Sequence, residues 1–150
     1  MAVRARTHEK ASAIGTLVVS PRRRRITLYL ALHPGKNIRG PYVLEFLRNL
    51  RRHLRGPLVL LWDRGNPHRH REVHRYLATH RHWHVVCLSP YAPELQPQEQ
   101  VWDYFKYGRL ANFAPDDLPE ICRAVWREAR RVAHRPALPR SLFRHSKLLS

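Results

Sequence analysis

Apolar residues recur along the chain in two rhythms. SAIGTLVVS (12–20) and ITLYLAL (26–32) are short, β-branched runs on either side of the basic turn PRRRR (21–25). That arrangement predicts an antiparallel hairpin. In PYVLEFLRNLRRHLRG the apolar positions are 43, 46, 47, 50 and 54, the spacing of one helix face, with Pro41 at its start and Gly56 as its stop. PLVLLWD (57–63) is a continuous apolar run, which suggests a strand covered on both faces. Asn66-Pro67 has the form of an N-cap followed by proline at the first helical position. The helix expected there turns Val73, Tyr76 and Leu77 inward.

HWHVVCLS (82–89) reads as a further strand. A helix from Pro97 places Val101, Trp102 and Phe105 on one side. Asp117 with Glu120 has the spacing of a capping box. It opens a helix with Ile121, Val125, Trp126, Ala129 and Val132 on one face. Residues 1–10 are polar and expected to fray, and Pro136 and Pro139 precede a short basic tail. No repeat and no long linker interrupts the 150 residues, so a single domain over 1–150 is expected. The order β-β-α-β-α-β-α-α indicates an α/β fold with a mixed sheet.

Charge changes this picture of an ordinary globular domain. Lys and Arg number 28, of which 24 are Arg, against 11 Asp and Glu, a formal net charge of +17. Such an excess works against a compact state unless a polyanion neutralises it, and nucleic acid is the default polyanion. No run approaches the roughly 20 apolar residues of a membrane span, and the first ten residues lack the apolar centre of a signal peptide. Cys87 and Cys122 lie in apolar contexts without metal-ligand spacing, and read as buried thiols of a reducing compartment. A cytoplasmic protein without membrane contact is expected.

Two carboxylates stand out. Asp63 ends the buried strand, and ligands of open α/β sheets bind beyond that end. Glu99 lies in the first turn of the helix that starts at Pro97. A carboxylate there can simply complement the helix dipole and the free N–H groups, or it can bind a metal. With Asp63 at the neighbouring strand-to-helix crossover, the two acids could share Mg²⁺ or Mn²⁺, cations that prefer hard oxygen donors. A carboxylate–metal centre on a cationic surface points to phosphodiester chemistry.

The histidines suggest zinc less well. His70 and His74 are four residues apart and His80, His82 and His84 alternate, but HREVH misplaces the glutamate of H-E-x-x-H. Arg69, Arg71, Arg75 and Arg81 would also repel a cation. A solvated basic helix face is the better reading. The four tryptophans, Trp62, Trp83, Trp102 and Trp126, read as core rather than as stacking platforms.

LVLLWDRGNPHR followed by LSPYAPELQPQEQVWDYFKYGRLANF resembles the DDE transposases of the IS630/Tc1/mariner superfamily. In that family one strand ends in the second catalytic Asp with a His five residues on, and the next runs into a proline-rich segment containing the third acid. Asp63, His68 and Glu99 occupy those places, framed by Tyr91, Pro93, Leu95, Pro97 and Trp102. SAIGTLVVS and the PRRRR hairpin resemble the family's early strands. Gln96 stands where the family has Asn, Ser89 replaces a proline, and the spacing from Asp63 to Glu99 is one residue longer than the common Tc1-like form.

The resemblance implies an RNase H-like mixed sheet flanked by helices. It also implies DNA cleavage and strand transfer with Mg²⁺ or Mn²⁺, and transposon ends and target DNA as partners. Asp63 and Glu99 would be catalytic metal ligands, and Arg64, His68, Arg69 and Lys106 would contact DNA. The family's first catalytic Asp lies on a strand upstream of SAIGTL, and no Asp precedes Asp63 here; the earlier acids are Glu9 and Glu45. The expectation is a catalytic domain incomplete at its N-terminus, lacking the first central strand and the helix-turn-helix region. Its metal site would be incomplete, and the isolated chain would not turn over. An upstream reading frame or a second transposase subunit would complete it. A non-catalytic, Arg-rich DNA-binding protein is the alternative, and a nuclease that cuts with Asp63 and Glu99 alone is a more distant third.

Overall fold

The computed structural model describes residues 2–4, 10–22, 25–62, 69–89 and 95–145. Strand β1 (Ala2–Arg4) pairs antiparallel with β2 (Lys10–Val19), and β2 pairs antiparallel with β3 (Ile26–Pro34). The second pairing runs in unbroken register from Ala11 opposite Pro34 to Val19 opposite Ile26. The Ser20 N–H donates to the Arg25 carbonyl (2.9 Å) and the Arg25 N–H to the Ser20 hydroxyl (3.1 Å), closing the turn. The expected hairpin is therefore present. The expectation of a frayed N-terminus is corrected at Ala2–Arg4, which pair with Lys10–Ser12. Three residues are too few to show a periodicity.

Helix α1 (Gly40–His53) buries Val43, Leu44, Leu47 and Leu50, and ends three residues before Gly56. Strand β4 (Leu58–Trp62) pairs in parallel with β5 (Trp83–Cys87), and α2 (Arg71–Thr79) lies between them in sequence. The N-cap expected at Asn66 and Pro67 falls outside the described residues; α2 has His70 at its N-cap position, without a side-chain capping bond, and buries Val73 and Leu77, with Tyr76 half-buried. Helix α3 (Pro97–Asp103) continues into a π-helical segment, Tyr104–Arg109. Helices α4 (Leu118–Ala133) and α5 (Ala137–His145) complete the described chain. Helix α5 replaces the expected basic tail: Pro139 sits in its first turn, where proline displaces no helical hydrogen bond, and is buried.

These elements form two compact units, 1–37 with 93–150 and 38–92. In the first, Ala11 and Ala13 of β2 join Val101, Trp102 and Phe105 and one face of α4: Ile121, Ala124, Val125, Ala129 and Val132. Asp117 caps α4 as expected, accepting from the Glu120 N–H (2.8 Å), while Glu120 reaches one residue further back than a capping box and accepts from the N–H of Asp116 (2.7 Å). In the second unit α1 packs on α2, and the sheet contributes Trp62 and Trp83 to the buried residues.

Three burial expectations are corrected. Trp126 is 42% exposed, because it falls off the helix face set by Ile121, Val125 and Val132. Strand β4 is not covered on both faces: Val59 is 61% exposed and Leu61, Val85 and Val86 are also open to solvent. An apolar run looks the same whether or not its second face has a covering layer. Cys87 is exposed rather than buried, whereas Cys122 is partly covered and burial raises its thiol pKa.

The most buried charge among the described residues is Glu128 on α4. It accepts from Nε of Arg109 (3.1 Å), with Arg131 at 3.7 Å and Arg127 at 3.9 Å. One carboxylate thus answers three guanidinium groups and ties the end of the π-helical segment to α4.

Two measurements test this packing. Glu128→Ala leaves Arg109 without its acceptor beside the core, and should lower unfolding stability by about 1–3 kcal/mol in urea titration. Iodoacetamide near neutral pH should alkylate Cys87 at least about tenfold faster than Cys122. Burial of Cys122 keeps it protonated to higher pH and shields it.

Candidate active site

Gln96 has an extended backbone (φ −103°, ψ 101°) and Pro97 supplies the fixed φ of a first helical residue, so α3 starts abruptly. Glu99 is the third residue of the helix, and its N–H donates to the Gln96 carbonyl (3.0 Å). It is half-buried. Gln96 makes no side-chain capping bond. The Glu99 carboxylate has neither an ion-pair nor a hydrogen-bond partner among the described residues. This separates Glu99 from Glu120, which occupies the same third position in α4 and is bonded back to the backbone at Asp116. A carboxylate present only to cap its helix would behave as Glu120 does.

Helix α3 is held where it is by Gly15 of β2. A Cβ at residue 15 would lie 2.7 Å from Cη2 of Trp102 and 2.8 Å from Nε2 of Gln98, closer than carbon tolerates. The absence of a side chain therefore lets α3 lie directly on the strand. Trp102 and Phe105 meet edge to face with ring centroids 6.3 Å apart, and Val101 and Phe105 are fully buried. Gln98 turns its amide into this contact, where both its oxygen and its nitrogen are buried and without a partner among the described residues. Neither Gly15 nor Gln98 stands out by residue type. The available signal was a lone glycine inside a strand pattern, which marks close approach of another backbone or ring.

The other candidate residues are distributed unevenly. Lys106 is exposed on the π-helical segment that prolongs α3, in the same unit as Glu99. Arg69 is exposed just ahead of α2 and belongs to the 38–92 unit. Asp63, Arg64 and His68 lie outside the described residues.

The histidines have local roles. The His70 ring sits against Gly40, within 2.0 Å of where a Cβ would be. Nδ1 of His80 bonds the Tyr76 carbonyl (2.7 Å) and its ring stacks on Tyr76 (4.1 Å between centroids). Among the described residues no three histidine, cysteine or acidic side chains gather as a metal cluster. No helix among them is long and apolar enough to cross a membrane.

A model of the DDE superfamily endonucleases matches residues 6–122. The chain belongs to that family. This DDE-family chain also resembles solved structures at the level of fold. Over 99% of its length it superposes on the Mos1 transposase catalytic domain solved with raltegravir and Mg. The TM-score is 0.73 and the identity 18%, with 74% of that chain covered. A second structure of the Mos1 mariner transposase catalytic domain gives a TM-score of 0.61 at 19% identity, covering 92% of this chain and 76% of that one. The Mos1 paired-end complex with the left transposon end gives 0.67 at 20% identity, covering 99% and 43%. No curated protein matches. The fold of this DDE-family chain is thus RNase H-like, with the antiparallel β1–β2–β3 sheet and the parallel β4–β5 pair as separate sheets among the described residues.

A side chain at position 15 would have to push α3 off β2. Gly15→Ala should destabilise the protein by about 1–3 kcal/mol in urea titration. Glu99→Gln should stay within about 0.5 kcal/mol of the parent, since no bond of the described fold uses that carboxylate.

Proposed function

We propose that this chain is the part of a DDE transposase that carries the second and third catalytic carboxylates, and that it acts in DNA strand cleavage and strand transfer. The observation carrying this reading is the carboxylate of Glu99, without a partner among the described residues, on a helix wedged tightly against β2. Rigid support of an uncommitted acid is what a metal-binding or catalytic group requires. Membership of the endonuclease family and the acid at Asp63, five residues before His68, support it.

Glu99 and Asp63 are the residues to hold Mg²⁺ or Mn²⁺. The donor chemistry suits those ions: oxygen ligands from acids, one of them half-buried and unpaired among the described residues. Structures of the Mos1 catalytic domain exist with each of these metals, and others hold transposon ends. When bound, such an ion stabilises charge on the phosphate and activates a water or hydroxyl. Arg64, His68, Arg69 and Lys106 would hold the DNA backbone. The guanidinium forks of Arg64 and Arg69 suit phosphate oxygens.

Only two acids of the expected three are available in these 150 residues, since no Asp precedes Asp63. The third carboxylate would come from outside them, supplied by an upstream-frame polypeptide or a second subunit. By itself the chain would bind DNA and a metal ion weakly without turning over.

The test combines Mn²⁺ titration calorimetry, duplex binding and nicking of supercoiled plasmid. Mn²⁺ affinity should fall by more than about tenfold in both Asp63→Ala and Glu99→Ala, duplex binding without divalent ions should be unchanged, and the chain alone should leave the plasmid intact. Metal binding indifferent to both substitutions would reduce the protein to a non-catalytic, Arg-rich DNA binder. Nicking that disappears in both variants would show that two acids suffice.

A further inference from the structure

We propose a second nucleic-acid contact surface, at the amino-terminal end of the parallel β4–β5 pair, built from Arg51, Arg55 and Arg81 and fitted to the phosphate backbone of duplex DNA. It lies at the end of β4 opposite Trp62. It rests on the reading of the chain as a DNA-processing protein only for the choice of polyanion.

The topology brings two basic connections together. Helix α1 ends at His53 and leads through Leu54, Arg55 and Gly56 into β4; α2 ends at Thr79 and leads through His80, Arg81 and His82 into β5. Leu58 and Trp83 are direct partners in the parallel register. The Leu58 N–H also donates to the His82 carbonyl (2.9 Å), so the two connections are hydrogen-bonded to each other where the strands begin. Arg55 precedes Leu58 by three residues and Arg81 precedes Trp83 by two. Both are exposed, as are Arg51 and Arg52.

Helix chemistry accounts for part of this cluster. Cations in a last helical turn complement the dipole. Arg52 reaches the side-chain oxygen of Asn49 (3.4 Å), and Nδ1 of His53 bonds the Asn49 carbonyl (2.9 Å). Arg55 and Arg81 stand beyond the ends of the helices, on the two connections that are hydrogen-bonded to each other. Arg51, Arg55 and Arg81 have no carboxylate partner among the described residues.

Residues 38–92 contain ten arginines and three acids. Like charges gathered without counter-charge repel, and a bound polyanion removes that repulsion. Arg51, Arg52, Leu54, Arg55 and Gly56 line an open depression of 410 Å³. Gly56 has a positive φ of 93°, a backbone conformation that favours glycine, and open space where a Cβ would be. Guanidinium groups around an open, solvent-accessible hollow match a chain of phosphates better than a single buried ligand.

The experiment measures binding of the full chain to a short fluorescent DNA duplex by anisotropy. It uses EDTA and a salt series from about 50 to 200 mM. The triple variant Arg51→Ala/Arg55→Ala/Arg81→Ala is compared with Arg123→Ala/Arg130→Ala/Arg144→Ala, which removes three exposed charges from α4 and α5. Each lost phosphate contact should reduce the slope of log affinity against log salt by about 0.9, so the first triple should lose between about 2 and 3. The control triple should lose less than about 1. The replacement of the same three arginines by lysine should keep the parental slope.

Equal losses in the two Ala triples would overturn the inference by showing diffuse charge, and an unchanged slope in the first would overturn it directly. Displacement of the duplex by polyglutamate as readily as by unlabelled DNA would overturn it in favour of an acidic protein partner. A parent chain that does not bind duplex at all would instead remove the DNA reading on which it rests.

Discussion

The contact between Gly15 and helix α3 is the constraint from which the candidate site follows. A strand and a helix can approach this closely only where the strand offers bare backbone, and the space is taken by the Trp102 ring and the Gln98 amide. The ring cannot move without disturbing Phe105 and the α4 face behind it. Helix α3 therefore has one seat, and Glu99, one residue after Gln98, inherits a fixed position. The Gln98 amide, without a partner among the described residues, is a cost accepted within that contact, since buried polar atoms without partners destabilise a fold.

Carboxylates are scarce in a chain of this charge, and several are committed to structure. Glu128 balances the arginines along α4 and the end of the π-helical segment; Asp117 and Glu120 close the start of α4. These acids hold the scaffold against its own repulsion. Glu99 does neither job among the described residues. In a protein with a formal charge of +17, an acid that meets no guanidinium among the described residues is an exception.

Much of the fold was legible because its signals are local. The hairpin follows from two β-branched runs around a basic turn, the α4 start from Asp117 and Glu120, and the α3 seam from Val101, Trp102 and Phe105 at helical spacing. Glu99 was legible as a first-turn acid with two readings, and among the described residues it makes no capping bond of the kind Glu120 makes. What was not legible depends on contacts distant in sequence. Ala2–Arg4 become a strand only because β2 offers an edge. Val59 and Leu61 are open because covering is a property of neighbouring layers, which an apolar run does not encode. Trp126 was assigned to the core by residue type, and one step around the helix put it in water. Gly15 carried a signal, but its meaning required knowing which ring it faces.

The π-helical segment after α3 has a further geometric effect. A π-turn holds one residue more than the α-turn it replaces, so everything after it is rotated by about 100° relative to an uninterrupted α-helix. The Leu110 N–H reaches back five residues to the Phe105 carbonyl (2.7 Å), and that added step lets Leu110 and Phe105 both enter the core while Arg109 swings toward Glu128. Loss of a single residue between Tyr104 and Arg109 would therefore act far beyond its own volume: it would turn the basic end of this helix away from its counter-ion and unlock the frame that supports the acid two turns upstream.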